Sequence, residues 1–190
     1  TDCAVGKKYS ALALTDALHA LGVKATFRAT GQTGIMIAGE GMPIDAVVAD
    51  FIAGAAEILS PDNDPGHWDV IEGQGSLFHP AYSGVSLGLL HGSQPDAFVV
   101  CHDALREKMS DWEHFALPSI AECIALHETV ARRTNPAACC VGISVNTSKL
   151  PARKRTAYLD ALAAEHGVPA VDPLIDGCSD IVAYVRKTFG

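Results

Sequence analysis

The sequence lacks the excess of basic residues that binding to a nucleic-acid backbone requires. It has 14 Lys and Arg residues against 22 Asp and Glu residues, and its net charge is −8. A nucleic-acid partner is therefore not expected, although a small anion needs only a local site. The sequence also lacks an apolar run of the ~18 residues that cross a bilayer, and its start lacks the apolar core of a secretory signal peptide. We expect no membrane partner.

The chain lacks the paired cysteine spacing of zinc sites and redox motifs. Its six cysteines form no C-x-x-C pair, and three of them lie within apolar runs that are typical of buried strands. Reduced thiols in the core are the simplest interpretation, and they indicate a cytoplasmic protein. We therefore predict no metal site. The cysteines are Cys3, Cys101, Cys123, Cys139, Cys140 and Cys178.

The chain has no internal repeat, and its 190 residues suffice for one domain. Short apolar strands alternate with amphipathic helices, a pattern that predicts an α/β fold with a mostly parallel sheet covered on both faces. In such sheets ligands bind at the carboxyl ends of the strands. The predicted strands are KATFRAT, HWDVIEG, DAFVVCHD, AACCVGISVN and VPAVDP, and the predicted helices include KKYSALALTDALHALG, PIDAVVADFIAGAAEIL, PSIAECIALHETVARR, ARKRTAYLDALAAEHG and CSDIVAYVRKTF.

The first ten residues, TDCAVGKKYS, contain part of a phosphate-binding loop. The usual loop is GxxxxGK[ST], in which backbone N–H groups and the lysine surround an anion at a helix N-terminus. Gly6 and Lys7 fit that pattern, but Thr1 stands where the leading glycine is expected and Lys8 stands where the Ser or Thr that binds Mg²⁺ is expected. Ser10 is a candidate replacement for that hydroxyl.

A phosphate loop normally follows a strand, and none precedes Thr1 in this sequence. We expect the first strand, and a further domain, to lie upstream of residue 1, so that residues 1–190 form one three-layer P-loop NTPase-like domain. The alternative is a processed terminus without that strand.

TDCAVGKK resembles the loop of dethiobiotin synthetases, GTD-x-x-VGKT, and three further landmarks follow in the same order. VIEGQGS resembles that family's strand ending in EGAGG, GISVN resembles its strand ending in an adenine-contacting asparagine, and VPAVDP resembles its last strand. The resemblance implies adenine contact by Asn146 and phosphate contact by Arg28. In an ATP-dependent relative Glu72 would hold Mg²⁺.

A closer resemblance covers essentially the whole chain. The stretches TDCAVGKKYSALAL, RATGQTGIMIAGEG, DAVVADFIAGAAE, EGQGSLFHPAYSGVSLGLLHG and ISVNTS are similar to a bacterial family of two-domain proteins that includes D-glutamate N-acetyltransferases. The resemblance implies a C-terminal P-loop domain that follows a Rossmann-like domain, and an N-acetyltransferase that uses acetyl-CoA. A mean hydropathy of +0.18 indicates apolar surface covered by that domain or by a second copy in a homo-oligomer.

An acetyltransferase needs a clamp for the cofactor, a base for the acceptor amine and a site for the acceptor. The candidate bases are Glu72, at a strand end, and His79, because histidine is a common general base in enzymes. Arg28 offers bidentate geometry for a substrate carboxylate, and Gln32 or Thr33 in a glycine-rich loop are candidate substrate donors. The clamp is predicted to consist of Asp2, Cys3, Ala4, Val5, Gly6, Lys7, Lys8 and Asn146.

Two rival functions remain open at this point. One is a ligase or kinase that uses ATP and Mg²⁺, like dethiobiotin synthetase. The other is a non-catalytic nucleotide-binding module. The absence of a Ser or Thr at position 8 favours the acetyltransferase, because a kinase or ATPase depends more on that Mg²⁺ ligand.

Overall fold

The computed structural model describes residues 1–190 and contains seven α-helices and seven β-strands. The helices are α1 (Lys7–Ala20), α2 (Gln32–Ala38), α3 (Ile52–Leu59), α4 (Ser83–Ser93), α5 (Ile120–Ala131), α6 (Ala152–His166) and α7 (Ser179–Phe189). The strands are β1 (Ala25–Arg28), β2 (Trp68–Ile71), β3 (Ala97–Asp103), β4 (Lys108–Met109), β5 (Trp112–Ala116), β6 (Cys139–Asn146) and β7 (Ala170–Val171). None of these helices combines the length and apolar character needed to cross a membrane.

The strands confirm the predicted α/β fold with parallel pairing. β1 pairs in parallel with β2, and β3, β6 and β7 form a parallel sheet in the order β3-β6-β7. Strands β4 and β5 form a separate antiparallel hairpin, which was not predicted from the sequence.

Helices cover both faces of the three-stranded sheet because neighbouring residues of β6 point to opposite sides. Cys140 packs in one cluster with residues of α5 and α6, such as Ile120 and Leu159. The next residue, Val141, packs in another cluster with Ile181 and Val185 of α7. The arrangement is the predicted three-layer architecture.

Two segments differ from their predicted structure. The stretch from Pro43 was predicted as one helix, but it contains two 3₁₀ turns, Ile44–Ala46 and Ala49–Phe51, and the α-helix begins only at Ile52. The stretch GQTG was predicted as a loop, but Gln32 begins α2. In both segments, tertiary contacts override the local sequence pattern.

A cavity of about 610 Å³ separates the two parallel sheets. Residues of β2 and β3 line it from the two sides, and apolar side chains of α1, such as Leu14 and Leu18, contribute to its wall. No strand pairs β2 with β3, so each presents an unpaired edge to this slot. A strand upstream of Thr1 stays a prediction, and the unpaired edges of β2 and β3 are what such a strand would pair with.

Candidate functional site

A cleft of about 760 Å³ lies at the carboxyl ends of the parallel strands. The loop before α1, the segment after β2 and the ends of β6 and β7 all contribute to its wall, as expected for an open α/β sheet. Among its lining residues are Cys3, Ala4, Val5, Gly6, Lys7, Lys8, Glu72, Gly73, Gln74, Tyr82, Asn146, Ser148, Asp172 and Leu174.

The loop from Cys3 to Gly6 has the backbone shape of an anion cradle. Ala4 and Gly6 both adopt left-handed conformations, with φ of 51° and 101°, and such turns direct successive N–H groups into one concavity. The N–H groups of residues 4–8 have no acceptor within the protein. Because α1 begins at Lys7, its dipole adds positive potential at the same place. These residues fit the diphosphate of a nucleotide-like cofactor.

Lys7 lies across this cradle and within the cleft. Its Nζ donates to the carbonyl oxygen of Asp2 at 2.8 Å, and burial lowers the pKa of its ammonium below the ordinary value. The aliphatic stem passes close to Gly73, where an added Cβ would lie 3.2 Å from Lys7 Cδ. A glycine at position 73 therefore leaves room for the lysine to reach the loop.

Asp2 does not line the cleft, which corrects its prediction as a direct cofactor ligand. Its buried carboxylate accepts hydrogen bonds at Oδ2 from the Arg106 guanidinium at 3.0 Å and from the Ser110 N–H at 2.8 Å. Burial acts to raise the pKa of Asp2, but these hydrogen bonds outweigh it and hold the pKa below its usual value. Asp2 supports the loop from the side away from the cleft.

Glu72 is buried at the end of β2 and lines the cleft. Its Oε2 accepts hydrogen bonds from the Thr30 and Gly31 N–H groups at 3.0 and 3.1 Å, and Oε1 has no partner within the protein. The backbone around it is also fixed, since the Thr30 hydroxyl donates to the Glu72 carbonyl oxygen at 2.7 Å. Gly34 lies so close that an added Cβ would be 2.3 Å from Glu72 Oε2.

His79, the second candidate base, is buried outside the cleft, which corrects its prediction as a base. The ring is 1% exposed and is absent from the cleft wall. Its Nδ1 accepts a hydrogen bond from the Ala81 N–H at 3.2 Å, so the proton is on Nε2, which faces the Ser110 carbonyl oxygen at 3.3 Å. Because both nitrogens are engaged, the imidazole is a structural element.

Arg28 is also away from the cleft, and its predicted roles as a phosphate or carboxylate ligand are corrected. Its Nε donates to Asp69 Oδ1 at 2.8 Å. Arg28 is paired with Ile71, and Asp69 lies two residues earlier on the same face of β2. The side chain therefore points back along the strand, away from the carboxyl edge where ligands bind.

Gln32 and Thr33, the predicted substrate donors, lie in the first turn of α2 and are exposed outside the cleft. Gln74, which lies in the segment after β2, does line the cleft. Its Nε2 donates to the Thr30 hydroxyl at 2.9 Å. Gln74 and Thr30 were not among the residues predicted from the sequence. A threonine that becomes buried at the end of a strand was the available indication.

Asn146, the predicted adenine contact, ends β6 and lines the cleft. Its Oδ1 accepts a hydrogen bond from the Ser148 N–H at 3.1 Å, which closes a turn. Asp172 fastens this turn to the end of β7, because its Oδ2 accepts from the Thr147 N–H and its Oδ1 accepts from the Leu174 N–H, each at 3.0 Å.

Neither Lys8 nor Ser10 supplies the free hydroxyl with which a phosphate-binding loop holds Mg²⁺. The ammonium of Lys8 lies over the Tyr9 ring, and the Ser10 hydroxyl is buried against the Gly6 carbonyl oxygen at 3.0 Å and the Ser144 hydroxyl at 2.7 Å. Ser10 therefore does not replace the hydroxyl that is absent at position 8.

Asp2, Cys3 and His79 bring three potential ligand atoms within 4.8 Å of one another. The carboxylate already pairs with Arg106, and both His79 nitrogens are hydrogen-bonded. Burial raises the pKa of the Cys3 thiol, which disfavours the thiolate. This cluster suits a hydrogen-bonded interior better than a metal ion.

Comparisons with known proteins agree with the fold and name an activity for relatives. The family model described as "Domain of unknown function (DUF1611_C) P-loop domain" matches residues 1–182. A crystal structure of a DUF1611 family protein from Anabaena variabilis is 36% identical, with a TM-score of 0.91, and the match covers 98% of this chain and 55% of that one.

Two curated relatives carry the name D-glutamate N-acetyltransferase. One from Pseudoalteromonas sp is 54% identical over 183 residues, and one from Tritonibacter scottomollicae is 51% identical over 182 residues. Each match covers 96% of this chain but only 55% of the relative. The chain thus spans about half the length of the curated relatives that it matches.

Proposed function

The chain belongs to the DUF1611 P-loop family, and on that basis we propose that it forms the cofactor-binding part of an N-acetyltransferase. The reaction moves the acetyl group of acetyl-CoA to the amine of an acidic amino acid, with D-glutamate as the acceptor that the relatives' names suggest. The observation that carries the proposal is a single cleft that contains both free loop N–H groups and the Glu72 carboxylate.

Residues of the loop hold the phosphates. The N–H groups of residues 4–8 and the Lys7 ammonium supply positive potential to a diphosphate. We assign the adenine to the part of the cleft that Asn146 and Leu174 line. When bound, acetyl-CoA supplies the acetyl group as an activated thioester.

Glu72 is the proposed base. The acceptor amine must lose a proton before it can attack a carbonyl carbon, and Glu72 Oε1 is the carboxylate oxygen that no protein group occupies. The N–H groups of Thr30 and Gly31 fix Oε2, so the free oxygen is held in one direction. Before transfer, the same carboxylate pairs with the acceptor's ammonium.

Recognition of an acceptor with two carboxylates also needs cations. Arg28 is engaged with Asp69 outside the cleft, and the relatives extend well beyond the matched part. We therefore assign the acceptor's carboxylates to the remainder of the full-length protein, and this chain to the cofactor and to the proton of the amine.

The test is an assay of the full-length protein with acetyl-CoA and D-glutamate. We expect release of free CoA thiol together with an N-acetylated product detected by mass spectrometry, and no thiol release without an acceptor. L-Glutamate serves as the matched control for stereochemistry. The proposal fails if no acceptor gives a product while ATP binds more tightly with Mg²⁺ than without it, because that pattern belongs to a ligase or kinase.

A further inference from the structure

Arg106 contacts the anion-binding loop without lining the cleft. Its Nη1 donates to Asp2 Oδ2 at 3.0 Å and to the Cys3 carbonyl oxygen at 2.6 Å, and its Nη2 donates to the Ala4 carbonyl oxygen at 3.4 Å. One planar guanidinium therefore contacts three consecutive loop residues from the side away from the cleft.

These contacts fix the direction of N–H groups that Arg106 does not touch. In a trans peptide the carbonyl and the following N–H are coplanar and point in opposite directions. Holding the Cys3 carbonyl outward thus turns the Ala4 N–H inward, and holding the Ala4 carbonyl outward turns the Val5 N–H inward. Both residues line the cleft, and neither N–H has a partner within the protein.

The loop needs such support because Ala4 has a φ of 51°, in the left-handed region that an L side chain disfavours. Arg106 itself is held in place, since Nη2 lies 3.8 Å from Asp103 Oδ2 at the end of β3. The Ser110 N–H donates to the same Asp2 Oδ2 atom at 2.8 Å, which helps to hold that carboxylate in place. Residues on and after β3 therefore determine the shape of the loop.

We propose that Arg106 is a positioning residue for the phosphate-binding loop, which it holds in the conformation that presents the Ala4 and Val5 N–H groups to an anion. The inference rests on the proposed function of the loop as the cofactor clamp. Lysine cannot replace arginine in this role, because its ammonium is a point donor and lacks the planar fork that reaches several acceptors at once.

The experiment compares Arg106→Lys, Arg106→Gln and the control Arg133→Gln in the full-length protein, with CoA and pyrophosphate as probes by calorimetry. Arg133 is an exposed arginine with no ion pair in the structure. We expect both Arg106 variants to lose about tenfold in affinity and Arg133→Gln to lose none. Since the role is one of binding, KM for acetyl-CoA should rise more than kcat falls. Thermal unfolding monitors the fold, and Arg106→Lys serves if Arg106→Gln does not fold.

Two results would overturn the inference. Wild-type affinity in Arg106→Lys, with a loss only in Arg106→Gln, would mean that only the positive charge matters. Wild-type affinity in both variants would mean that the loop holds its shape unaided. If the unmodified protein binds neither CoA nor pyrophosphate, the proposed function of the loop fails instead, so the two failures are distinguishable.

Discussion

The N-termini of α1 and α2 lie at the same edge of the fold, but they meet different partners. Each helix directly follows a glycine and has no side-chain cap from its own N-cap residue. At α2, the Gly31 N–H and the preceding Thr30 N–H are taken by the Glu72 carboxylate. At α1, the N–H groups of residues 4–8 have no partner within the protein.

The comparison shows that a helix N-terminus can be paired with an anion from the chain itself or left open for an anion from a ligand. A helix N-terminus attracts anions because its first N–H groups are unpaired and its dipole is positive there. The chain supplies that anion to α2 from its own β2, and the result is a fixed carboxylate. It supplies none to α1, and in the proposed function the phosphates of a ligand take that place. Gly73 follows Glu72 in the chain, and a Cβ added there would lie 3.2 Å from Lys7 Cδ.

Removing the charge at the N-terminus of α2 should have the largest effect. Glu72→Gln keeps a carbonyl oxygen for the Thr30 and Gly31 N–H groups but cannot accept a proton. We expect kcat of the full-length protein to fall roughly 10²–10⁴-fold, with little change in the affinity for acetyl-CoA. Steady-state kinetics and calorimetry measure the two. A kcat within a few-fold of wild type would exclude Glu72 as the base.

Removing the charge at the N-terminus of α1 should act on binding instead. Lys7→Ala deletes a charge-assisted donor and should weaken acetyl-CoA binding by about 1.5–3 kcal/mol. Lys24→Ala is the matched control, because Lys24 is exposed and has no ion pair. Equal affinities in Lys7→Ala and wild type, for ATP as well as acetyl-CoA, would end the assignment of this loop to phosphate.

Crowding Glu72 from α2 tests the same contact without removing a charge. In Gly34→Ala the new methyl group would lie 2.3 Å from Glu72 Oε2, whereas a methyl group at Gly54 of α3 would meet nothing within 4 Å. We expect Gly34→Ala to lower the free energy of unfolding by about 1–3 kcal/mol and to lower kcat. Gly54→Ala should be neutral or stabilising by up to about 1 kcal/mol. Denaturant unfolding and kinetics of both variants test this, and equal behaviour would contradict the close contact.

The smallest effect concerns pH. Burial lowers the pKa of Lys7 below its ordinary 10.5, so the ammonium is lost earlier than that of a free lysine as the pH rises. Affinity for CoA, which lacks the base-labile thioester, should decline through that window. The unliganded protein should gain stability over the same window, because the unfolded chain binds more protons there. Calorimetry at a series of pH values should show that the affinity for CoA declines in the wild type but not in Lys7→Met. A parallel decline in both proteins would contradict this role for Lys7.

Local patterns in the sequence predicted several residues that the structure brings into one cleft, and their functional roles stay predictions. Gly6 and Lys7 were identifiable because a loop, a lysine and a helix start are contiguous, and Glu72 was identifiable because it ends a strand. The loop prediction for GQTG was wrong because the carboxylate at the N-terminus of α2 comes from residue 72, about 40 positions away along the chain.

The remaining errors have the same origin. Arg28 and His79 have the right chemistry, but Asp69 and the Ser110 carbonyl engage them, and a single sequence does not show which partners tertiary folding brings together. Arg106 was missed because it follows a strand in an irregular segment without a motif. The expected cytoplasmic compartment, the upstream domain and the homo-oligomer stay predictions.

The slot between the two parallel sheets has a consequence for the chemistry. Glu72 follows the two-stranded sheet and Asn146 ends a strand of the three-stranded one, and no strand pairing joins the two sheets. The distance between Glu72 and Asn146 therefore depends on what fills the slot, and one intervening strand would hold the flanking strands about 9.6 Å apart. We therefore expect that enlarging or trimming apolar side chains that line the slot, such as Leu18 or Val99, would change the distance between Glu72 and Asn146 without altering either residue.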